Sequence, residues 1–389
     1  MANNNFINYI KTKLKEISKK NQFRHLETFQ RKPNNILCNK NKKLISFSCN
    51  DYLSLSNDDK VKEAASKAAL KYGTGAGASR LVTGNHPLYN KLERKLAKIK
   101  NSEACLIFGS GYLAVVGIIS ALVKKSDLIV LDEYSHSCAF LGAKASGAKT
   151  IKFKHNNMKD LERILAKTRS KYNNCLVITE GVFSMDGDIS PQKNILIIKK
   201  KYNAFLLLDD AHGLNFFEQN QVISKSSKQK YYPDIYIGTL SKAIGSYGGY
   251  VCAKKEIIDF ILNRCRTLIY TTGLPPSVIA ASLKSLEIIE NRKSLLTLPL
   301  KKAKYFCKKM HLIYCGTPII PIILESEVKT IQVSEFLLNK GFIVSAIRPP
   351  TVPANSSRLR LAFNVSHTTQ QIDNLVIYLK EALEKVDQQ

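Results

Sequence analysis

A lysine in a glycine-rich turn is the residue of this sequence with the clearest chemical potential. Lys242 follows a short β-rich run at 234–239, and glycines stand close behind it at Gly245, Gly248 and Gly249. Glycines let a backbone turn sharply and approach a ligand closely. A lysine amine in such a turn can form a Schiff base with a carbonyl cofactor. Taken alone, the turn is equally compatible with a surface lysine, because the chain contains 59 lysine and arginine residues.

Three further residues at predicted strand ends meet the demands of one such cofactor, pyridoxal 5'-phosphate (PLP). Its pyridine nitrogen needs a carboxylate to stay protonated, and Asp209 is the candidate. His212, three residues on, could reach the phenolic oxygen of the ring, and His136 could stack on the ring face. Each has an ordinary alternative role, as a capping or ion-paired aspartate or as a hydrogen-bonded histidine.

The sequence also offers groups for a phosphate and for a substrate carboxylate. Gly111 and Tyr112 open a predicted helix whose free backbone N–H groups could bind the phosphate, and Thr239 adds a hydroxyl. A bidentate arginine is the natural partner of a carboxylate. Arg358 and Arg360 alternate along a predicted strand, so we expect only one of them to face the site.

The order of predicted elements indicates an α/β fold. Apolar strands are predicted at 105–108, 128–131, 176–179, 204–208 and 234–239, with helices at 112–123, 157–170 and 194–201 between them. This alternation predicts a mostly parallel sheet covered on both faces, with ligands bound beyond the carboxyl ends of the strands. We predict an N-terminal arm at 1–45, a large domain at 46–285 and a small α+β domain at 286–389.

Local patterns predict the elements outside this sheet. In the arm, Ile7, Ile10, Leu14 and Ile17 recur at helical spacing and predict an amphipathic helix that packs on the body. A strand is expected at 45–49, a helix capped by Asp58 or Asn57 up to Tyr72, and a long helical stretch from 276 to about 309. The small domain has predicted strands at 319–324, 342–346 and 359–363 and helices at 332–339 and 369–385.

Composition limits the class of protein. With 389 residues, 44% hydrophobic and 23% charged, the chain reads as a globular protein, and its longest apolar run, 113–123, is too short to cross a bilayer. Nine dispersed cysteines and seven dispersed histidines predict reduced thiols, no metal site and a cytoplasmic location. The net charge of +28 favours an acidic partner. Because the sequence contains no nucleic-acid-binding motif, we expect most of this charge to form a solvated basic surface.

Five segments together resemble a known enzyme family. They are Cys-Asn-Asp-Tyr-Leu at 49–53, Ser-His-Ser at 135–137, Thr-Glu-Gly-Val-Phe-Ser-Met-Asp-Gly-Asp at 179–188, Asp-Asp-Ala-His-Gly at 209–213 and Gly-Thr-Leu-Ser-Lys-Ala at 238–243. Their order is similar to that of the α-oxoamine synthases, PLP-dependent transferases of fold type I with the aspartate-aminotransferase fold. The resemblance runs from about Ile45 to His367.

The resemblance assigns roles to residues. It makes Lys242 the Schiff-base lysine, Asp209 the partner of the pyridine nitrogen and His136 the stacking residue. It places Ser184 and His212 at the phenolic oxygen. The substrate would be bound by Asn50, Arg24 and Arg360. In a homodimer, Thr271 or Thr272 would reach the phosphate of the cofactor in the neighbouring subunit.

Two segments, 346–353 and 269–276, are similar to the family member of biotin biosynthesis. That similarity implies an acyltransferase that condenses L-alanine with pimeloyl-CoA or pimeloyl-acyl carrier protein and releases CO₂. The alternatives are a sister enzyme that joins glycine to acetyl-CoA, and a basic nucleic-acid-binding protein on an inactive PLP fold. Two positions depart from the family pattern: Val115 replaces a usual asparagine and Ser54 a usual glycine.

Overall fold

The computed structural model describes residues 2–20, 22–39, 42–213 and 233–387. Each of the three predicted domains includes some residues outside these ranges. The chain forms two compact units. The central unit comprises residues 50–301 and 314–318, and the terminal unit comprises residues 1–49, 302–313 and 319–389.

The strands and helices have the following bounds. The strands are β1 (Gln30–Lys32), β2 (Ile36–Asn39), β3 (Lys42–Ser46), β4 (Ala104–Phe108), β5 (Leu128–Asp132), β6 (Lys149–Phe153), β7 (Cys175–Glu180), β8 (Phe205–Asp209), β9 (Ile235–Thr239), β10 (Gly249–Ala253), β11 (Ile319–Glu325), β12 (Phe342–Ile343), β13 (Ser345–Ile347) and β14 (Ser357–Ala362). The helices are α1 (Ala2–Lys19), α2 (Asp59–Tyr72), α3 (Pro87–Lys100), α4 (Gly111–Leu122), α5 (Ser137–Ser146), α6 (Met158–Thr168), α7 (Gln192–Lys201), α8 (Lys255–Arg264), α9 (Arg266–Ile269), α10 (Pro276–Asn291), α11 (Leu298–Met310), α12 (Glu327–Asn339) and α13 (Thr369–Asp387).

A large sheet forms the centre of the central unit. Its described strands lie in the order β4-β10-β9-β8-β7-β5-β6. β10 runs antiparallel to both of its neighbours, and the other pairs are parallel. The predicted mostly parallel sheet is therefore confirmed. Sequence analysis did not predict β10 or β6, because β10 follows the glycine-rich turn directly and β6 carries exposed lysines.

Both faces of this sheet are covered, as the apolar strands require. Along β5, Ile129 and Leu131 join a core that includes residues of α4, α5 and α8. Leu128 and Val130 point the other way, into a core with residues of α6 and α7. Successive side chains of a strand alternate between faces, so a strand that is apolar throughout can exist only where both faces are buried.

The terminal unit joins the two ends of the chain. β3 pairs in parallel with β12, with Ile45 opposite Phe342, and the sheet order is β1-β2-β3-β12. A second sheet has the order β11-β14-β13. The contact division therefore differs from the predicted domain boundaries, which stay a prediction. The predicted strand at 342–346 is two strands, because β12 and β13 belong to different sheets.

Three other sequence predictions change in the structure. The strand expected at 45–49 lies at Lys42–Ser46, and the helical stretch after 276 is divided by a 3₁₀ turn at Lys293–Leu296. The apolar residues of α1 are 37–49% exposed at Ile7, Ile10, Leu14 and Ile17, so the described part of this chain does not cover them. By contrast, the predicted cap is confirmed, since Asp58 accepts from the backbone N–H groups of Lys60 and Val61. Among the described residues, no helix has the length and apolarity to cross a membrane.

Candidate active site

The parallel strands β8 and β9 bring Lys242 and His212 together. Both residues follow the carboxyl ends of neighbouring strands, and Lys242 Nζ lies 2.6 Å from His212 Nε2. The Lys242 turn is fixed by Gly245, whose φ is +68°. A side chain at Gly245 would begin 2.5 Å from the backbone nitrogen of Ser56. The turn therefore requires glycine for its conformation and for the close approach of the segment at Ser56.

The second nitrogen of His212 contacts a tyrosine from another segment. Tyr52 Oη lies 2.7 Å from His212 Nδ1, and the same hydroxyl lies 3.3 Å from Asn50 Oδ1. The family resemblance assigns Asn50 to the substrate but gives Tyr52 no role. The available signal was its position in the same motif, two residues after Asn50.

Asp209 ends β8 and presents a half-buried carboxylate at the same edge of the sheet. Its Oδ1 accepts a hydrogen bond from the backbone N–H of Ala211 at 3.0 Å. Burial raises the pKa of Asp209, and the positive charge of Lys242 acts against this rise. The three predicted catalytic residues therefore lie within electrostatic reach of one another. A desolvated carboxylate of this kind is stabilised by a cationic partner.

His136 caps α5 and leaves its ring open to solvent. Its Nδ1 accepts from the backbone N–H of Cys138 at 3.3 Å, and its own backbone N–H donates to Glu180 Oε1 at 2.6 Å. Burial of the imidazole lowers its pKa, which favours the neutral form, although the charge of Asp209 acts in the opposite direction. A neutral, exposed and anchored ring is suited to stacking on an aromatic ligand.

Glu180 is a site residue that sequence analysis did not identify. Its side chain is 5% exposed, and burial followed by the charge of Asp209 raises its pKa well above the usual value. Glu180, at the end of β7, accepts this hydrogen bond from the backbone of His136 in the loop after β5 and thereby connects the two segments. It lies in the 179–188 motif, which was the available signal.

The N-terminus of α4 forms the candidate phosphate site. A side chain at Gly111 would lie 3.5 Å from Thr239 Cβ, and one at Gly109 would lie 3.6 Å from Thr271 Cγ2. The structure therefore places Thr239 beside the helix end. The methyl group of Thr271 faces Gly109, and the Thr271 hydroxyl donates to the backbone carbonyl of Thr267 at 2.7 Å, so its predicted role at the neighbouring subunit stays a prediction. Tyr112 is 44% exposed, and its ring lies edge-on to that of His136, with 6.2 Å between ring centroids.

For four further predicted site residues the structure gives the position and the exposure. Thr272 is exposed and bridges to Ser79, and Ser184 is half-buried in the turn after β7. Arg24 and Arg360 belong to the terminal unit, where Arg24 is exposed and Arg360 is 4% exposed on β14. Their roles stay predictions.

The two departures from the family pattern differ in how well they suit the structure. Val115 is 1% exposed and packs in the apolar core beside the sheet, where its side chain suits its surroundings. Ser54 has a φ of +53°, in the left-handed region that favours glycine. Serine therefore bears a conformational cost at a position where the family usually has glycine.

A charged cluster ties together the loops that carry the site. His155 Nδ1 lies 2.9 Å from Asp132 Oδ1, and its Nε2 lies 2.8 Å from Asp188 Oδ2. Its ring stacks on Tyr134 with 4.5 Å between centroids. Burial alone would lower its pKa, but the hydrogen bonds and charges of the two aspartates raise the pKa of His155 to about 10. His155 is therefore an imidazolium that links the loops after β5, β6 and β7.

Replacing His155 with glutamine should lower the free energy of unfolding by about 3 kcal/mol at pH 7, because the buried carboxylate of Asp132 and the partly exposed one of Asp188 lose their cation. The folded pKa of His155 lies above the usual value of 6.5. Its stabilisation is thus complete below pH 6.5 and is lost as the pH rises towards 10. Unfolding midpoints of the wild type and the variant at pH 6, 8 and 10 should converge at the highest pH. A difference that does not change with pH would show that His155 acts as a neutral residue.

Comparison with known proteins places the chain in a family. The model of the family "Aminotransferase class I and II" matches residues 42–379. The chain belongs to the class I and II aminotransferase family. A curated relative from Methylocella silvestris, named 8-amino-7-oxononanoate synthase, is 47% identical over 331 residues, covering 85% of this chain and 94% of the relative.

Two solved structures have the same fold as this chain. A structure described as SPT with PLP internal aldimine has a TM-score of 0.85 and 28% identity, covering 92% of this chain and 93% of the other. The 8-amino-7-oxononanoate synthase of Francisella tularensis has a TM-score of 0.73 and 28% identity, covering 88% of this chain and 98% of the other. The predicted fold type I is confirmed.

Proposed function

We propose that this protein is a PLP-dependent 8-amino-7-oxononanoate synthase. It condenses L-alanine with a pimeloyl thioester and releases CO₂ and the free thiol. One observation carries this proposal: a lysine, a carboxylate and an imidazole meet at one sheet edge of a chain that is 47% identical to a relative of that name. The biotin-pathway similarity of residues 346–353 supports the choice of alanine and pimeloyl.

The residues present at the site fit PLP. Asp209 would offer its carboxylate to a protonated pyridine nitrogen, and burial of this carboxylate raises its pKa. The N-terminus of α4 at Gly111 and the hydroxyl of Thr239 would hold the phosphate. Lys242 would supply the amine that binds the aldehyde. When bound, PLP supplies an electron sink for negative charge at the substrate Cα.

The chain's own residues would then orient the substrate and move its proton. The Lys242 amine is the base beside the substrate Cα, and His212 holds that amine in place through its Nε2. The Asp209 carboxylate would be the partner of the pyridine nitrogen and would favour its protonated form. By the family resemblance Asn50 would contact the substrate. The same resemblance gives Arg360 the alanine carboxylate, since a guanidinium matches its two oxygens. His136 would cover the ring face and exclude water from it.

A matrix of substrates tests the reaction. Alanine, glycine and serine are each offered with pimeloyl, acetyl and palmitoyl thioesters, and products are identified by mass spectrometry. We expect alanine with pimeloyl to give 8-amino-7-oxononanoate at the highest kcat/KM. Serine with palmitoyl is included because solved structures of serine palmitoyltransferase (SPT) are similar to this chain. A preference for glycine with acetyl-CoA would overturn the proposed substrates, while leaving the condensation chemistry in place.

The carrier of the pimeloyl group and the oligomeric state belong to the same proposal. The net charge of +28 supports an acidic acyl carrier protein as donor, since surplus positive charge attracts anionic partners and salt weakens that attraction. KM for the carrier-bound donor should then rise with ionic strength more steeply than KM for pimeloyl-CoA. The segment at Thr271 and Thr272 supports a homodimer, which sedimentation at working concentration would detect.

A further inference from the structure

Tyr52, His212 and Lys242 form a continuous line of polar contacts. The two ring nitrogens of His212 are both engaged, Nε2 with Lys242 Nζ at 2.6 Å and Nδ1 with Tyr52 Oη at 2.7 Å. The Tyr52 hydroxyl continues the line to Asn50 Oδ1 at 3.3 Å. The buried phenol of Tyr52 therefore connects His212, which contacts Lys242, to Asn50, which is proposed to bind substrate.

The protonation state of Lys242 determines the direction of these hydrogen bonds. An ammonium has donors and no acceptor, so with Lys242 protonated His212 Nε2 must accept. A neutral imidazole then carries its proton on Nδ1 and donates it to Tyr52 Oη. The Tyr52 hydroxyl in turn donates to Asn50 Oδ1. If Lys242 is a neutral amine, Nε2–H can donate to it, and the Tyr52 hydroxyl can donate to Nδ1. A phenol serves both states because it both donates and accepts.

The segment around Tyr52 is rigid enough to orient the imidazole. The Tyr52 side chain is 0% exposed, and its ring meets that of His212 at 62° with 6.1 Å between centroids. The neighbouring Asp51 carboxylate accepts from the backbone N–H groups of Leu55 and Ser56 at 3.0 and 3.2 Å. This turn packs directly against Gly245 in the Lys242 turn. Locked supporting residues are what hold a reactive group within a productive geometry.

We propose that Tyr52 is a positioning residue for the Lys242 amine, acting through His212. Its hydroxyl fixes the orientation of the imidazole, and the Lys242 ammonium then selects the tautomer with Nδ1 protonated. The imidazole in turn fixes the position of the amine. The proposal rests on the proposed function only in taking Lys242 as the reactive amine.

The test measures the His212 ring in the cofactor-free full chain, without substrate. With ¹⁵N-labelled histidine at pH 7, we expect wild-type His212 to show one tautomer, with Nδ1 protonated and Nε2 unprotonated. Its signals are assigned by their loss in His212→Gln. In Tyr52→Phe we expect averaged signals of both tautomers, because a ring that the hydroxyl no longer holds at Nδ1 moves away from the Lys242 ammonium that selects one of them. The dissociation constant of added PLP should rise about tenfold, as expected for the loss of one hydrogen bond.

Tyr305→Phe is the matched control. It removes a tyrosine hydroxyl that donates to Asp373 at 2.7 Å within the terminal unit. We expect unchanged His212 signals and unchanged PLP affinity, and unfolding midpoints of both variants report on the fold. Wild-type His212 signals in Tyr52→Phe would overturn the proposal, as would a mixture of tautomers in the wild type even if Tyr52→Phe does not fold. Failure of the synthase proposal would appear separately, in the substrate matrix.

Discussion

Replacing Lys242 with alanine is expected to abolish nearly all turnover and the covalent link between protein and PLP. One general acid or base contributes roughly 10²–10⁴-fold to a rate. The expected loss is larger, because the same amine would anchor the cofactor and remove the substrate proton. The structure supports both roles, since the amine is half-buried beyond β9 and held by His212 at 2.6 Å. Borohydride reduction followed by peptide mapping measures the link, and product formation measures turnover.

Two matched variants separate the amine from its charge. Lys242→Arg keeps a positive charge near Asp209 but provides no amine for the aldehyde, so it should be as inactive as Lys242→Ala. Lys255→Ala removes a lysine that is 68% exposed and pairs with Asp259 on α8, and it should behave as wild type. Reduction that traps PLP on a peptide without Lys242 would show that the assignment is wrong.

Replacing Asp209 with asparagine is expected to slow turnover by roughly a hundredfold or more, as for the loss of one strong electrostatic stabiliser. The carboxylate lies in a desolvated position, where burial raises its pKa, so a cation that binds there gains a strong partner. Asparagine has nearly the same shape and lacks the charge. The pyridine nitrogen would then lose its proton, and the cofactor would accept less negative charge from the substrate Cα.

The measurement is the rate of exchange of the alanine Cα proton with solvent, together with turnover. The fold of Asp209→Asn is checked by its unfolding midpoint, which should stay close to that of the wild type. Asp259→Asn, at a 53% exposed position, is the control for the loss of an aspartate charge. Near-wild-type exchange and turnover in Asp209→Asn would remove this residue from the mechanism.

The sequence by itself determined the class of the fold and the placement of its chemical residues. Apolar runs such as the one at 128–131 do not alternate between apolar and polar residues as a half-exposed strand does, so they required a sheet buried on both faces. The carboxyl ends of parallel strands share an edge, and this predicted that Asp209 and Lys242 would lie near one another. The cap at Asp58 was equally readable, because capping depends on residues that are close in sequence.

Only the tertiary structure decided which distant residues contact each other. Strand pairing is non-local, so the sequence did not show that β10 is antiparallel, or that β12 pairs with β3 and joins the two chain ends. The contact between Tyr52 and His212 joins residues 160 positions apart, and no local pattern encodes it. The charge of His155 has the same origin. Its pKa depends on two aspartates from other loops, and packing alone brings their oxygens to both ring nitrogens.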